Sequence, residues 1–544
     1  MKYLISLCIF LIIAFPCEGR TITVDDDGPA DFNNIQAAIN DANDGDIVVV
    51  AVGTYTGTGN RDIDFLGKAI TVRSTDPNDP DIVAATIINC DGTVADPHKG
   101  FFFDRGEDSN SVVSGFTITG GYDWRGGGID CRHNSNPTII NCIINRNSAN
   151  NGGGGLAIWY SSPRVIHCTF SENLATFGGG GIDCSDDSSP TIINCTISGN
   201  SAMYGGGIAC VKGSPTISNC LISNNSAWLG GGIECVKSNV TIANCTISGN
   251  LAERGGGVYF TVPDIWTLST SSIEDSKPTL TNCTITGNSA SYSGGAISFW
   301  YHGTANITNC ILWDNKAHYG YQISLEDDSS TFLNYTDLQG GQDALYIEPG
   351  SALDFGIGNI DDNPGFVGPG YWDVNGIWVE GDYHLLPASP CIDTGDPNYI
   401  PEPNATDLDG QPRLLDGDED GIPIIDMGAY EYRPPIPADV NIEPDTLNLQ
   451  SKGNWITCHI RLPEDYSTAD IDPDSIFLED IVSADSLQIN NDVAIVKFSR
   501  SEVQDILSAG ECELTISGEL IDETIFEGSD TIRVINNGGG KPAK

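Results

Sequence analysis

Positive charge is what this chain has least of. Against 74 Asp and Glu stand only 25 Lys and Arg in 544 residues, a formal net charge of −49. Such a surface repels nucleic acid, anionic membrane and unscreened polyuronate, and it favours neutral or cationic ligands and divalent cations. Long apolar runs are nearly as scarce. Beyond residues 3–15 no stretch is long enough to cross a bilayer, so no transmembrane helix is expected after it. The cysteines form no CxxC pair and have no histidine partner, which argues against zinc. From 138 to 338 there is no 3.6-residue apolar period, which excludes a helix in each repeat.

What the chain does have is repetition. One phrase recurs as PTIINCIINRNSANNGGGG, PTIINCTISGNSAMYGGGI, PTISNCLISNNSAWLGGGI and VTIANCTISGNLAERGGGV, and self-similarity at a period of about 20 to 50 residues marks a solenoid. Cys142, Cys168, Cys195, Cys220, Cys245, Cys283 and Cys310 fix the register, which extends upstream to Phe116 and Cys90 and downstream to Tyr335. Steps are 25 to 27 residues except for 38 between Cys245 and Cys283, so one coil carries an insertion, placed between Phe260 and Ser276. Each unit holds β-branched runs bounded by Gly, Pro and Asn, the signature of short strands. Around residues 191–197, alternation would put Ile193, Cys195 and Ile197 on one face. Yet it is the position of Ile192 that stays apolar in every coil, as Ile139, Val165, Ile217, Ile242, Leu280 and Ile307. A bend at Asn141, Asn194, Asn219, Asn244, Asn282 and Asn309 restores the phase, because Asn tolerates left-handed backbone. Coils stacked about 4.8 Å apart then align like residues in columns and let these Asn side chains bond in a ladder.

With those residues in place, the repeat resembles a right-handed parallel β-helix of the pectate-lyase-like class. Its GG-[AI] and N-C-T-[IF]-x-x-N-x-A phrasing resembles the polymorphic outer-membrane-protein repeat. The resemblance implies an all-β fold, a right-handed parallel β-helix solenoid over residues 20–368. The opening DFNNIQAAINDANDGDIVVVAVGTY is similar to the start of such proteins. Ile35, Ala38, Ile39 and Ala42 have helical spacing, Asp31 or Asn33 can cap, and the resulting amphipathic helix would cover the open first coil. From Asn359 the repeat dissolves. GNIDDNPGFV, DYHLLPASPCIDTGD, DLDGQPR and DMGAYEY resemble the choice-of-anchor Q region that follows β-helices in secreted bacterial proteins. That tail, 369–433, would cap the solenoid, with Trp372, Trp378, Tyr383, Leu385 and Leu386 as a plug. RPPIP at 433–437 marks a boundary. Alternating strands then suggest an Ig-like β-sandwich over 438–535, with Cys458 and Cys512 placed to bridge it, before a Gly-rich disordered tail at 536–544.

The beginning of the chain reads as a secretory signal peptide at 1–19: Met1 and Lys2, the apolar run, then Cys17 and Gly19 before a cut ahead of Arg20. The protein is therefore expected outside the cell or on its surface. Export favours disulfides among the remaining cysteines. The register favours buried thiol columns, with Cys131, Cys184, Cys210 and Cys235 as a second column, and that is the preferred reading.

Three sets of residues are candidates for chemistry. After each glycine run the strand alternates, which puts Asp130, Asp183 and Glu234 on the outer face in alternate coils with Ala157 and Ala209 between. Two coils is about 9.6 Å, near the top of the range of about 6.5 to 9.5 Å for inverting carboxylate pairs. The same acids also read as a solvated face, balanced by Lys212 and Lys237, or as weak cation sites. Trp124, Phe177, Tyr204, Trp228 and Tyr292 precede the glycines, and Trp159, Tyr160, Trp300 and Tyr301 follow the strand. They read either as a shelf for sugar rings or as padding. Asp416, Asp418 and Asp420 with Gly421 open a D-x-D-x-D-G calcium loop, although Met427 stands where an EF-hand has Glu. The polygalacturonase phrases N-T-D, G-H-G and R-I-K are missing, and Arg132, Arg146, Arg164 and Arg254 match no lyase motif, so no catalytic residue carries over from the resemblance. The first reading is a non-catalytic secreted or cell-surface protein that binds carbohydrate or a cell-envelope component, with calcium as the suggested cofactor. The second is a polysaccharide lyase or glycoside hydrolase using the outer acids.

Overall fold

A single coil cannot cover its own inward Ile, Val and Cys, and the computed structural model shows stacking doing so. It describes residues 19–262, 277–401, 403, 405–521 and 524–536. The leader up to residue 18, most of the insertion expected after Phe260 (263–276) and the tail from 537 lie outside the described residues. Three parallel sheets run through the stack. The first has thirteen strands, from Thr21–Val24 to Ala352–Phe355; the second has eleven, from Gly53–Thr56 to Asp337–Leu338; the third has eleven, from Ile63–Asp64 to Leu345–Ile347. Thr191–Ile193, Thr196–Ser198 and Ile208–Val211 are one coil's contribution to each.

Register is kept coil to coil, as in Val165↔Ile192↔Ile217↔Ile242. The bend asparagines hold φ between 52° and 54°, the left-handed backbone that the phase argument requires. Both cysteine columns are buried and free. Their thiols are not orphaned: Cys195 Sγ donates to the carbonyls of Ile193 at 3.2 Å and Val165 at 3.6 Å. The bend asparagines bond to one another in later coils, for example Asn282 Nδ2 to Asn244 Oδ1 at 3.0 Å.

A stronger ladder lies inside. Asn147, Asn173, Asn200, Asn225, Asn250, Asn288 and Asn315, the second Asn of the repeat phrase, are all buried. The Oδ1 of Asn225 accepts from the backbone N–H and the Nδ2 of Asn200, both at 3.0 Å. Its Nδ2 donates to Ile197 O at 2.8 Å and to Asn250 Oδ1 at 3.0 Å. Each buried amide is thereby saturated, which removes the penalty of burying it. Glycine then turns the chain. At Gly205, with φ 60°, a Cβ would lie 2.4 Å from the carbonyl oxygen of Ile208.

The N-terminal helix forms over Ile35–Asp41, with Ile35, Ala38 and Ile39 buried in the solenoid core. Its cap is Asn34, whose side chain accepts from Ala37 N at 2.8 Å, rather than Asp31 or Asn33. The tail differs from expectation more sharply. It does not plug the last coil but folds back over the flank of the stack as a strap. Trp372 Nε1 donates to Gly287 O at 2.9 Å, Ser248 Oγ to Glu380 at 2.7 Å, and Asn244 Nδ2 to Thr406 O at 3.0 Å. Gly428 N donates to Asn309 O at 2.9 Å and Ala429 N to Thr284 Oγ1 at 3.0 Å. Glycine makes room for it, since a Cβ on Gly249 or Gly287 would lie 2.0 Å from the Trp378 ring. Ile311 packs with Phe366, Trp378, Tyr383, Leu385 and Met427. Under the strap Thr246, Ser248, Thr284 and Thr286 are buried, whereas their equivalents Thr169, Ser171, Thr196 and Ser198 are half-buried.

A second compact unit begins at Arg433. Among the described residues its nine strands form one sheet folded into two layers, joined where Phe477–Leu478 pairs with Val482–Asn490. The opposite edges approach each other, with Ile442 N donating to Asp530 Oδ2 at 2.7 Å. Ile456, Cys458 and Ile460 share its core with Leu514 and Ile516. The expected Cys458–Cys512 bridge is not formed. Both thiols are free, and Cys512, half-buried, donates to Ser508 O at 3.3 Å.

These contacts rank two substitutions. Asn225→Ala strands the N–H and Nδ2 of Asn200 and the carbonyl of Ile197, and is expected to cost about 3 kcal/mol. Cys195→Ser gives a hydroxyl that inherits the Ile193 carbonyl, and should cost about 1 kcal/mol. Urea denaturation midpoints compare the two; a larger loss for the serine variant would contradict this ranking.

Candidate functional site

The outer face of the third sheet carries one row of aligned side chains: Asp130, Ala157, Asp183, Ala209, Glu234, Tyr259 and Ser298. Alternation along each strand points them away from the core. They are not solvated, however. Asp130, Asp183 and Glu234 are 0%, 7% and 3% exposed, because the turns before the glycines rise beside them. Parts of those turns pair in their own right, as Tyr122–Arg125, Ser148–Gly152 and Leu174–Ala175 do. The solvated-face reading of the three acids is therefore corrected.

The three acids fare differently. Asp130 sits in a closed ion network: Lys99 Nζ is 2.6 Å away, Arg132 Nε donates at 2.9 Å, and Arg132 Nη2 makes a further ion pair with it. Lys99 also reaches Asp123 at 3.0 Å, and both cations lie over the Phe102 ring. That is a structural cluster. Asp183 accepts from Ser185 Oγ at 3.0 Å. Burial pushes its carboxyl up to about 6, with Ser185 and Arg125 opposing. Glu234 is pushed up to about 8 by burial and then by the charge of Asp183.

Asp183 and Glu234 line an open cleft of about 440 Å³ with Arg125, Phe177, Tyr204 and Ser185. Arg125 is held in place by stacking over Trp159 at 4.9 Å and by the Asn151 amide, whose oxygen accepts from its Nε at 3.0 Å. A second cleft of about 370 Å³ shares Tyr204 and continues along Trp228, Arg254, Tyr259 and Trp300. Tyr204, Leu229 and Tyr259 form a small buried cluster against which Phe177 and Trp300 pack. Trp228 lies 5.8 Å from Tyr204 by ring centroids, and its Nε1 donates to Glu253 at 2.7 Å. The Tyr259 hydroxyl is buried beside the Thr261 hydroxyl. Arg254 stacks on Tyr292 at 4.3 Å and binds Glu326 at 2.5 Å.

The five aromatics expected to form one shelf are thus divided. Phe177, Tyr204 and Trp228 line the clefts, Tyr292 stacks with Arg254 and Tyr319, and Trp124 stands 59% exposed. Sequence reasoning passed over Tyr259 and Arg125 as site residues. Tyr259 was findable, since it takes the position after Glu234 in the same row; Arg125 belongs to a turn with no such alignment.

At the acidic turn, the carboxylate oxygens of Asp393, Asp416 and Asp418 lie within 4.8 Å of one another. Asp420 is not in the group; its Oδ1 accepts from Ile422 N at 2.8 Å. Asp393 replaces it, fixed by the N–H groups of Asp418 at 2.8 Å and Ile424 at 3.0 Å. This is the oxygen-only donor set a hard cation takes. Among the described residues no helix is long and apolar enough to cross a membrane.

A family described as a right-handed β-helix region matches residues 75–251 and 232–384, more than half of the chain. Neither the curated proteins nor the solved structures yielded a match.

The buried acids set a pH dependence. A carboxyl whose folded pKa is raised holds a proton that the unfolded chain releases, so the stability it confers is complete below its ordinary value and lost as pH rises through the folded one. For Glu234 that window runs from its ordinary value of 4.5 to about 8. Asp337 and Asp426, near 7, and Glu431, near 9, act in the same direction. Glu234→Gln should therefore match the parent in urea midpoint near pH 4.5 and exceed it above pH 8. A difference that does not change with pH would show that Glu234 carries no excess proton.

Proposed function

The chain belongs to the right-handed β-helix family, and on that footing we propose that it binds carbohydrate outside the cell, holding a neutral, linear glycan along the clefts of the third sheet. The fold hosts many activities and cannot decide this alone. The observation that carries it is the continuity of the two clefts through Tyr204, with Trp228, Tyr259 and Trp300 on one stretch and Asp183, Ser185 and Glu234 on the other. Aromatic rings offer flat apolar faces, and the carboxylates and the Tyr259 hydroxyl offer hydrogen bonds to sugar hydroxyls. From Ala157 to Ser298 the row crosses five coil steps, about 24 Å, long enough for an oligosaccharide. The net charge of −49 argues for a neutral glycan over a polyuronate and against nucleic acid.

Kinship with the pectate-lyase-like class and the polymorphic outer-membrane-protein repeats belongs to this reading. So do the signal peptide at 1–19 and the choice-of-anchor-like phrases of 369–433, which support a secreted or surface-held protein with a cell-envelope partner. Calcium is the cofactor of this reading, at Asp393, Asp416 and Asp418. Polysaccharide cleavage by the outer acids is the second reading, favoured by the different environments of Asp183 and Glu234.

Affinity electrophoresis in gels containing neutral or uronic polysaccharides tests the binding. Retardation by a neutral glycan is expected. Trp228→Ala should weaken it about tenfold, some 1.4 kcal/mol, while Trp124→Ala leaves it unchanged; no retardation in any neutral gel would end the proposal. For calcium, saturation at a hundredfold excess over Kd should stabilise the fold by about 2.7 kcal/mol. Chelation should lower the melting temperature, and Asp418→Ala should abolish the difference. Identical melting curves with calcium and with chelator would leave the turn a solvated one.

A further inference from the structure

The cleft contains two carboxylates that binding alone does not explain. Asp183 and Glu234 face the same opening, two coils apart in one ladder, with only the methyl group of Ala209 between them. Both are buried. Burying an acid is costly unless it is paired, and the other buried acids of this surface are paired: Asp130 by Lys99 and Arg132, Glu326 by Arg254. Asp183 has the Ser185 hydroxyl and the field of Arg125, while Glu234 has no cation beside it among the described residues. Two desolvated carboxyls aimed into one aromatic-walled cleft, in unlike environments, have the layout of an acid and a base.

We propose that Glu234 and Asp183 are the general acid and the general base of a glycoside hydrolase that inverts the anomeric carbon of the neutral glycan bound in this cleft. The proposal rests on the binding reading given above. Spacing sets the stereochemistry. Two coil steps put the backbones of the pair about 9.6 Å apart, at the upper limit of the range of about 6.5 to 9.5 Å between carboxyl groups that leaves room for a water, and well beyond the about 5 to 5.5 Å of a retaining pair. Environment sets the roles. Glu234, raised by burial and by its neighbour's charge, keeps its proton at neutral pH, and Asp183, steadied by Ser185 and Arg125, gives its proton up.

In the reaction Glu234 passes its proton to the glycosidic oxygen as the bond from that oxygen to the anomeric carbon breaks, the electron pair leaving with the oxygen. A water attacks the anomeric carbon from the opposite face, forming the new carbon–oxygen bond and losing a proton to Asp183. One water is consumed, and the products are an alcohol and a sugar of inverted configuration. Nothing is oxidised or reduced. Solvent exchange returns the proton from Asp183 to Glu234.

The full chain is incubated with xyloglucan, galactomannan and a mixed-linkage β-glucan, and new reducing ends are counted while retardation is measured in gels of the same glycans. Cleavage is expected on a glycan that retards the protein, and NMR should show the inverted anomer forming first. Glu234→Gln and Asp183→Asn should each lower the rate by about a hundredfold to ten-thousandfold, far more than any change they cause in retardation. The rate should peak between pH 6 and 8, where Asp183 is ionised and Glu234 protonated. Arg125, Asp186, Glu253, Arg254, Tyr204 and Tyr259 also face the clefts. Ser185→Ala removes the hydrogen bond that holds the Asp183 value down, so it should move the acid limb upward. That readout is independent of whether the acid variants fold. Retardation without new reducing ends from any of the three glycans, or undiminished rates in both acid variants, would overturn the hydrolase and leave the binding reading standing. Absence of both retardation and cleavage would remove both.

Discussion

In-register parallel stacking is the constraint on which the rest of this protein depends, and the buried asparagine row makes it strict. Backbone pairing between parallel strands is satisfied at more than one register, but the interior amides are satisfied at one. Each accepts from the coil before it and donates to the coil after it. A slip by one residue would leave a line of desolvated amides without partners, a cost repeated in every coil. Even step lengths, the inward columns of Ile and Cys, and the alignment of Asp183 with Ala209 and Glu234 all follow from that one condition.

The stack was legible from sequence because its forces are periodic. A Cys every 25 to 27 residues and an apolar partner three positions before it announce two inward columns, and an Asn between them announces the bend, found at φ 52° to 54°. The buried asparagines were in plain view in the N-x-A phrase, yet their polar character pointed outward; only neighbours in adjacent coils make such burial tolerable. Alternation placed Asp183 and Glu234 on the correct face but could not show that the glycine turns close over that face. The strap was illegible for a different reason. Asn244 meets Thr406, 162 residues away, and nothing periodic links the two. Asp393, likewise, joins Asp416 and Asp418 from outside their motif.

In so acidic a chain the placement of cations is informative. Lys99, Arg125, Arg132 and Arg254 all stand beside the third sheet's outer face. They close the surface at Asp130 and Glu326 and support Asp183 from a distance. Burial pushes the Glu234 carboxyl toward holding a proton, and it pushes Glu431 in the strap the same way against the field of Arg413. A proton, unlike a guanidinium, can be passed on.

The strap changes how the solenoid comes into being. Coils that touch only their neighbours can stack one by one as a ribosome releases them, each completed coil serving as the template for the next. Those carrying Thr246, Ser248, Thr284 and Thr286 reach the same stage with an unfinished flank, because the strap residues that meet them, such as Glu380 at Ser248 and Ala429 at Thr284, are synthesised 132 and 145 residues later. The molecule therefore has an early half that is complete on emergence and a later half that waits. Once the strap lands, the waiting coils are tied to one another through it as well as through their neighbours.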